Sequence, residues 1–73
     1  MKETPEQRAD RIINIMSKRK ERNHLFSKDK YQLSIDHVDE MIGFHKVFNM
    51  PKEVEFYREV LKAIDAKREE SKQ

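Results

Sequence analysis

Residues 30–61 constrain the fold more than any other stretch, because the spacing of their apolar residues changes along the chain. Apolar and polar residues alternate over residues 30–35, and a period of two predicts a β-strand with one buried face. Over residues 38–48 the apolar positions recur every three or four residues, which predicts a helix. A second helical pattern follows Pro51 and continues through Ile64. The stretch therefore predicts a strand, a helix, a turn and a second helix.

A second interpretation of the same residues is one continuous helix that begins near Ser27. Its apolar face would consist of Tyr31, Ile35, Val38, Ile42 and His45. Leu33 would point away from this face, and that position favours the strand. If the helical interpretation holds, the protein is an all-α domain of three helices.

A helix also precedes this stretch, and its start is well marked. Thr4 can act as the N-cap, Pro5 suits the first helical position, and Gln7 stands where a capping box requires Glu or Gln. The helix carries one short apolar face and should fray near residues 22–23. We expect a single small domain, with an N-terminal helix and connector in residues 1–26 and a strand–helix–helix core in residues 27–73.

The ends of the two later helices are also predicted by local sequence. Asp36 is a candidate N-cap for the second helix. Gly43 falls inside that helix, where a close crossing by another backbone would explain it, although chance explains it equally well. Pro51 ends the second helix and opens the third, which should reach residues 67–68.

Length and composition favour self-association. A chain of 73 residues buries only ~60% of its unfolded surface, and this one has no cysteine to supply a disulfide or a thiolate zinc site. An isolated strand also leaves backbone groups unpaired, which points to a homodimer. No apolar run is long enough to cross a membrane and the N-terminal residues do not form a secretory signal, so we expect a cytoplasmic protein.

Catalysis and cofactor binding are not expected. The single glycine excludes a phosphate-binding loop and a dinucleotide fingerprint, and no cysteine nucleophile exists. His37 lies among Asp36, Asp39 and Glu40, but these neighbours point in different directions on a helix and do not predict a metal site. We expect no enzyme activity, no cofactor and no bound metal.

Charge is distributed unevenly along the chain. Residues 1–30 contain nine Lys/Arg and five Asp/Glu, a net charge of +4, while residues 31–73 contain seven and nine, a net charge of −2. The basic excess is concentrated in residues 18–22. Clustered basic side chains bind nucleic-acid phosphates through counterion release, whereas the ordinary alternative is a solvated helix end.

The order strand, helix, turn, helix resembles the ribbon-helix-helix family of DNA-binding proteins. The resemblance covers residues 30–67 and is carried by the segments YQLSID, DHVDEMIGFHKVF and PKEVEFYREVLKAI. It implies a homodimer whose paired strands lie in the major groove of double-stranded DNA. The residues that would face the bases are Lys30, Gln32 and Ser34.

This resemblance also implies phosphate contacts and a dimer core. The phosphate contacts, taken with the basic run, would be Lys18, Arg19, Lys20, Arg22, Lys28 and Lys52. The dimer core would consist of Tyr31, Leu33, Ile35, Val38, Ile42, Phe48, Tyr57 and Leu61. The function expected on this basis is a dimeric DNA-binding regulator of transcription, or of a plasmid or virus.

The turn between the two later helices departs from the family pattern. The family often has glycine followed by Ser or Thr there, whereas this chain has Asn49, Met50 and Pro51. Pro51 has no N–H to donate to a phosphate, and Glu53 would repel one. The alternative function is a small helical interaction module that docks on a host protein and modulates it.

Overall fold

The computed structural model describes residues 2–23 and 28–71, and within them the chain forms three α-helices and no β-strand. Helix α1 spans Pro5–Arg22, α2 spans Lys30–Val47 and α3 spans Pro51–Ser71. All three pairs of helices are in contact. The fold is mainly helical, and the all-α interpretation of the sequence is the correct one.

Contacts between side chains fix the direction of each helix. The Arg8 guanidinium donates to the Tyr57 hydroxyl at 2.9 Å, and Lys67 Nζ lies 2.6 Å from Asp10 Oδ1, so α1 and α3 run in the same direction. The His45 ring stacks on Tyr57, near the start of α3, so α2 runs in the opposite direction. One end of the bundle therefore holds the N-termini of α1 and α3 together with the C-terminus of α2.

Helix α1 forms as its sequence predicts. The Gln7 backbone N–H donates to Thr4 Oγ1 at 3.2 Å, and the Thr4 backbone N–H donates to Gln7 Oε1 at 3.0 Å, which completes the predicted capping box. Pro5 occupies the first turn, and Asn23 forms the C-cap. The buried face of α1 consists of Ala9, Ile12, Ile13 and Met16.

The strand predicted for residues 30–35 is wrong, because these residues form the first turns of α2. The helix begins at Lys30, and the Asp29 carboxylate caps it by accepting from the Gln32 backbone N–H at 2.8 Å. The prediction of Asp36 as the N-cap is therefore also wrong. Asp36 instead accepts a hydrogen bond from the Gln32 side chain, one turn earlier, at 3.1 Å.

Ser34 explains why apolar and polar residues alternate over residues 30–35 although these residues form a helix. This residue is fully buried at the centre of the inner face of α2, and its hydroxyl donates to the Lys30 carbonyl at 2.6 Å. A polar residue therefore occupies a core position without an unpaired group. Tyr31, Leu33 and Ile35 lie on either side and are half-buried against the core, because α2 packs on both other helices.

One apolar core connects the three helices. The contribution of α2 is Val38 and Ile42, and that of α3 is Val54, Tyr57, Val60 and Ile64. The boundary drawn between residues 26 and 27 lies outside the described residues. None of the described helices has the length and apolarity that a bilayer-spanning segment needs.

Candidate functional site

Four large apolar side chains are exposed together at the C-terminal end of α2 and in the turn that follows. We call them the apolar patch: Phe44, Val47, Phe48 and Met50, with exposed fractions of 56%, 81%, 61% and 37%. The rings of Phe44 and Phe48 contact each other, with centroids 4.7 Å apart. Clustered exposed apolar side chains of this kind commonly mark an interaction surface.

The turn that carries the patch has a defined backbone structure. Asn49 adopts a left-handed conformation with φ of 54°. Its N–H donates to the Lys46 carbonyl at 3.1 Å, and the Met50 N–H donates to the His45 carbonyl at 2.9 Å. These two bonds are those of a Schellman motif, which satisfies carbonyls left free at a helix end. Asn tolerates the left-handed region better than other non-glycine residues, and Pro51 then opens α3.

A packed cluster of polar and aromatic side chains supports the patch from below. The His45 ring stacks on Tyr57 with centroids 5.3 Å apart, and His45 Nδ1–H donates to the Met41 carbonyl at 2.6 Å. Arg8 donates to the Tyr57 hydroxyl and lies over the Phe56 ring at 5.7 Å. The hydrogen bond that Arg8 donates to the Glu3 carboxylate raises the pKa of Arg8 above its ordinary value. These groups bind one another and hold the patch end of the bundle together.

Gly43 lies on the exposed side of α2, beside the patch. A Cβ added there would meet no atom within 4 Å, and its φ is not positive. Neither packing within the described chain nor backbone conformation therefore requires glycine. An interior helical glycine costs roughly 1 kcal/mol relative to alanine, so its presence on this face is unexplained by the fold alone.

The opposite end of the molecule is basic. This end holds the C-terminus of α1 and the start of α2. It contains five of the residues predicted to bind phosphate, and we call this group the basic end: Lys18, Arg19, Lys20, Arg22 and Lys28. Lys20 lines a groove there with Lys30 and Arg68. Lys52 is not part of this group, because it lies beside Pro5 at the patch end.

One basic side chain at this end is neutralised within the chain. Lys28 Nζ lies 2.7 Å from Asp36 Oδ2, and both side chains are well exposed. The hydrogen bond from Lys28, followed by that from Gln32, lowers the pKa of Asp36 below its ordinary value. Lys18, Arg19 and Arg22 are exposed and form no ion pair with another described residue.

The residues predicted to face DNA bases do not form an outward row. Ser34 is buried and bonded to its own helix. The Gln32 side chain donates a hydrogen bond to Asp36 and accepts a long one from Arg68 at 3.5 Å. Lys30 is half-buried, with Nζ 5.3 Å from the centroid of the Tyr31 ring. Helix geometry thus separates side chains that a strand would have aligned.

The residues predicted for the dimer core are mostly used within one chain. Val38, Ile42 and Tyr57 are buried in the core of the bundle. Four more are partly buried against it: Tyr31, Leu33, Ile35 and Leu61. Phe48 alone among the predicted dimer-core residues is well exposed. A dimer that used the buried Val38, Ile42 and Tyr57 would have to open the monomer.

In the sequence, Phe44, Val47 and Phe48 widen the apolar face of this helix, which predicts a helix buried in a dimer. That prediction did not identify these residues as a patch separate from the core of the chain. A helix with apolar residues on nearly every side has more apolar surface than two neighbours can cover. Within residues 2–23 and 28–71 no group of three or more His, Cys, Asp or Glu could hold a metal ion.

Comparison with models of known protein families finds no match for this chain, and the same is true of curated proteins and of solved structures. The resemblance to ribbon-helix-helix proteins is still a prediction from the sequence, and the strand that it requires is absent from the described residues. The functional interpretation therefore depends on the two exposed regions just described, the apolar patch and the basic end.

Proposed function

We propose that this protein is a helical interaction module that docks on a helix of another protein chain through the apolar patch. The observation that carries the proposal is the joint exposure of Phe44, Val47 and Phe48 on a single helix end. These three side chains and Met50 remain in water, where their burial would be favourable. A partner surface would bury them.

Burial of the apolar patch supplies part of the free energy that binding requires. Full burial of a Val, Phe or Met side chain is favourable by roughly 1.5–3 kcal/mol, so the four patch residues together offer several kcal/mol when half their surface is still to be buried. Association costs at least about 4 kcal/mol in lost motion. The patch therefore offsets about this cost, and further contacts with the partner would have to supply the roughly 8 kcal/mol of a micromolar complex.

A helix is the occupant that fits the shape of this site. The patch residues follow α2 at intervals of three and four, and Gly43 leaves a gap beside them. An amphipathic helix presents anchors at the same intervals, so its side chains can fill the gap between rows. An extended peptide would need an exposed strand edge, which the described chain does not have.

Site-specific photocrosslinking tests this proposal. A photoreactive phenylalanine at position 47, expressed in the natural source cells, should yield a covalent adduct with a protein chain, because Val47 is 81% exposed at the centre of the patch. The matched control places the same group at Lys62, an exposed residue of α3. Equal yields at the two positions, or no adduct at position 47, would refute the proposal.

Patch variants sharpen the same experiment. The double substitution Phe44→Ser and Phe48→Ser should abolish the adduct from position 47, since it removes the contacting rings. Both side chains are more exposed than buried, so the bundle should remain folded by circular dichroism. Undiminished crosslinking in the folded double variant would show that the rings do not bind the partner.

A second candidate function is binding of double-stranded DNA through the basic end. The exposed side chains of Lys18, Arg19 and Arg22 lie within two turns of one helix end, with Lys28 nearby, and such clusters bind phosphates. Buried Ser34 and internally bonded Gln32 are unsuited to reading bases, so this binding would be independent of sequence. A DNA-binding regulator of this kind would bind DNA without the paired strands of the ribbon-helix-helix family.

Gel retardation of duplex DNA at two salt concentrations tests this second candidate. The double substitution Arg19→Ala and Arg22→Ala should weaken binding and reduce the dependence of log K on log salt by about two. Lys62→Ala, on the exposed side of α3, is the control and should change neither. Absence of retardation at low salt would exclude the DNA function and leave the interaction module unaffected.

A further inference from the structure

We propose that a cavity beside the apolar patch binds a carboxylate, which an acidic side chain of the docking helix supplies. The cavity lies between the starts of α1 and α3 and the last turn of α2, and its volume is about 430 Å³. The source of the carboxylate rests on the proposed function, whereas the chemistry of the cavity does not.

A row of rings joins the apolar patch to this cavity. Phe44 contacts the His45 ring with centroids 5.6 Å apart, and His45 stacks on Tyr57 at 5.3 Å. Tyr57 in turn contacts Phe56 at 5.5 Å. Phe44 belongs to the patch, and the other three rings line the cavity. Because successive turns of a helix are about 5.4 Å apart, a helix that covers Phe44 brings a side chain one turn away within reach of the cavity.

Two buried polar side chains of the cavity have hydrogen-bonding capacity that the described chain does not use. His45 is 8% exposed, its Nδ1 is bonded to the Met41 carbonyl, and no hydrogen bond with another described residue involves Nε2. Tyr57 is also 8% exposed; its hydroxyl accepts from Arg8, and no described residue accepts its hydrogen. Buried polar groups are rarely left without a partner, and an oxygen acceptor in the cavity would bond both.

The start of α3 contributes free backbone donors. Met50 precedes the first helical residue and has no side-chain oxygen with which to cap the helix. The Val54 N–H bonds back to the Met50 carbonyl at 3.1 Å, so the N–H groups of Lys52 and Glu53 come before the first helical bond. Both residues line the cavity, and free N–H groups at a helix start bind carboxylates.

The side chains around the cavity have a small excess of positive charge. The basic ones are Lys2, Arg8 and Lys52, and the acidic ones are Glu3 and Glu53. Glu3 is already paired with Arg8, whereas Lys2, Lys52 and Glu53 form no ion pair within residues 2–23 and 28–71. The C-terminus of α2 lies at the same end, but N–H groups of the turn bond its last carbonyls. Two unpaired amines against one unpaired acid favour an anion that binds weakly.

Titration of the whole chain with propionate, which reproduces the end of a glutamate side chain, tests the cavity by NMR. At constant ionic strength, the amide signals of Lys52 and Glu53 should shift and saturate with a Kd in the millimolar range. Propionamide has the same shape without the charge and should bind at least about tenfold more weakly. Shifts that do not saturate, or equal shifts at the Arg22 amide of the basic end, overturn the site.

Two substitutions with opposite expected effects sharpen the titration. Lys52→Ala should weaken propionate binding about two- to fivefold, and Glu53→Gln should strengthen it by about the same factor, because it removes the unpaired acid. Both residues are exposed, so both variants should fold, which circular dichroism checks. Lys62→Ala is the control on the exposed side of α3 and should change nothing. Unaltered binding in both cavity variants overturns the assignment.

The pH dependence of the titration tests the part that His45 takes. Because Nδ1–H donates to the Met41 carbonyl, Nε2 donates to a carboxylate only when the ring is protonated. Propionate should therefore bind several-fold more tightly at about pH 6 than at about pH 8, and His45→Phe, which keeps the ring without its nitrogens, should lose this dependence. Of the ionisable side-chain types around the cavity, only imidazole ordinarily changes charge in that range. The other ionisable residues that face it are Lys2, Glu3, Arg8, Lys52, Glu53 and Tyr57. An unchanged pH dependence in a folded phenylalanine variant overturns the contact with His45.

The crosslink at position 47 tests the source of the carboxylate. In that background Lys52→Glu should lower the yield of the adduct about threefold or more, because the cavity then repels the acidic side chain of the partner. Lys18→Glu makes the same change in net charge at the basic end and should leave the yield unaltered. An unchanged yield with Lys52→Glu overturns the docking helix as the source. Absence of any adduct in the natural background, with propionate still bound, refutes the proposed function and leaves the carboxylate site standing.

Discussion

The described side chains at the two ends of the bundle make different contacts. At the patch end, a stacked His45–Tyr57 pair, the hydrogen bond from Arg8 to Tyr57 and two backbone bonds around Asn49 fix the structure. At the basic end, the described side chains form exposed ion pairs, such as that of Lys28 with Asp36. Buried aromatic contacts contribute more to folding than exposed ion pairs, which are worth about 0–1 kcal/mol each.

This difference shows where the chain can present a fixed surface. A docking site loses less free energy on binding when its side chains stand on a rigid base. The apolar patch has such a base, whereas the basic end binds phosphates equally well with mobile side chains, because counterion release requires no fixed geometry. The apolar patch, which needs a fixed shape to dock on a partner, is thus the surface that has rigid support.

The largest effect should follow from removal of the ring that joins all three helices at the patch end. Tyr57→Ala deletes a buried aromatic side chain and its contacts with His45 and Arg8, so the free energy of unfolding should fall by about 3–5 kcal/mol. Urea denaturation measures it. Tyr57→Phe is the control, keeps the ring, and should cost about 1 kcal/mol. Equal costs for the two variants would contradict a packing role for the ring.

A smaller effect is expected at the turn. Asn49→Val forces a β-branched residue into the left-handed region, so the free energy of unfolding should fall by about 1–2 kcal/mol. Asn49→Gly removes the strain and should leave stability equal or slightly higher. The same denaturation series compares them. A valine variant as stable as the glycine variant would show that the turn does not hold the patch end.

The smallest effect concerns acid at the basic end. Because the hydrogen bond from Lys28 lowers the pKa of Asp36 in the folded state, its stabilisation is complete at neutral pH and is lost as the pH falls through and below about 3.9. The small difference in thermal midpoint between the natural chain and Asp36→Asn should therefore shrink on acidification, and also in high salt. A difference that widened in acid would assign Asp36 another role.

Much of the fold could be predicted from local sequence, and α1 shows why. Its cap, its first proline and its narrow apolar face each follow from short-range rules, and the structure confirms all three. Helix α2 defeated the same rules because Ser34 is a polar residue at a core position, satisfied by its own backbone. Periodicity cannot distinguish such a serine from the outward residue of a strand.

The candidate site was harder to predict for a related reason. The apolar residues of α2 were correctly recognised, but which of them the chain itself covers depends on where α1 and α3 pack. Val38 and Phe48 are equally apolar in the sequence, yet Val38 is fully buried and Phe48 is 61% exposed. Exposure is a property of the assembled bundle, and sequence spacing does not contain it.

The brevity of the α2–α3 connection has a kinetic consequence. Only Phe48, Asn49 and Met50 separate the two helices, so bringing them together closes a very small loop and loses little chain entropy. We expect the α2–α3 hairpin to form in the folding transition state before α1 docks. Shortening the side chain in Val60→Ala should then slow folding, whereas Ile12→Ala should mainly accelerate unfolding.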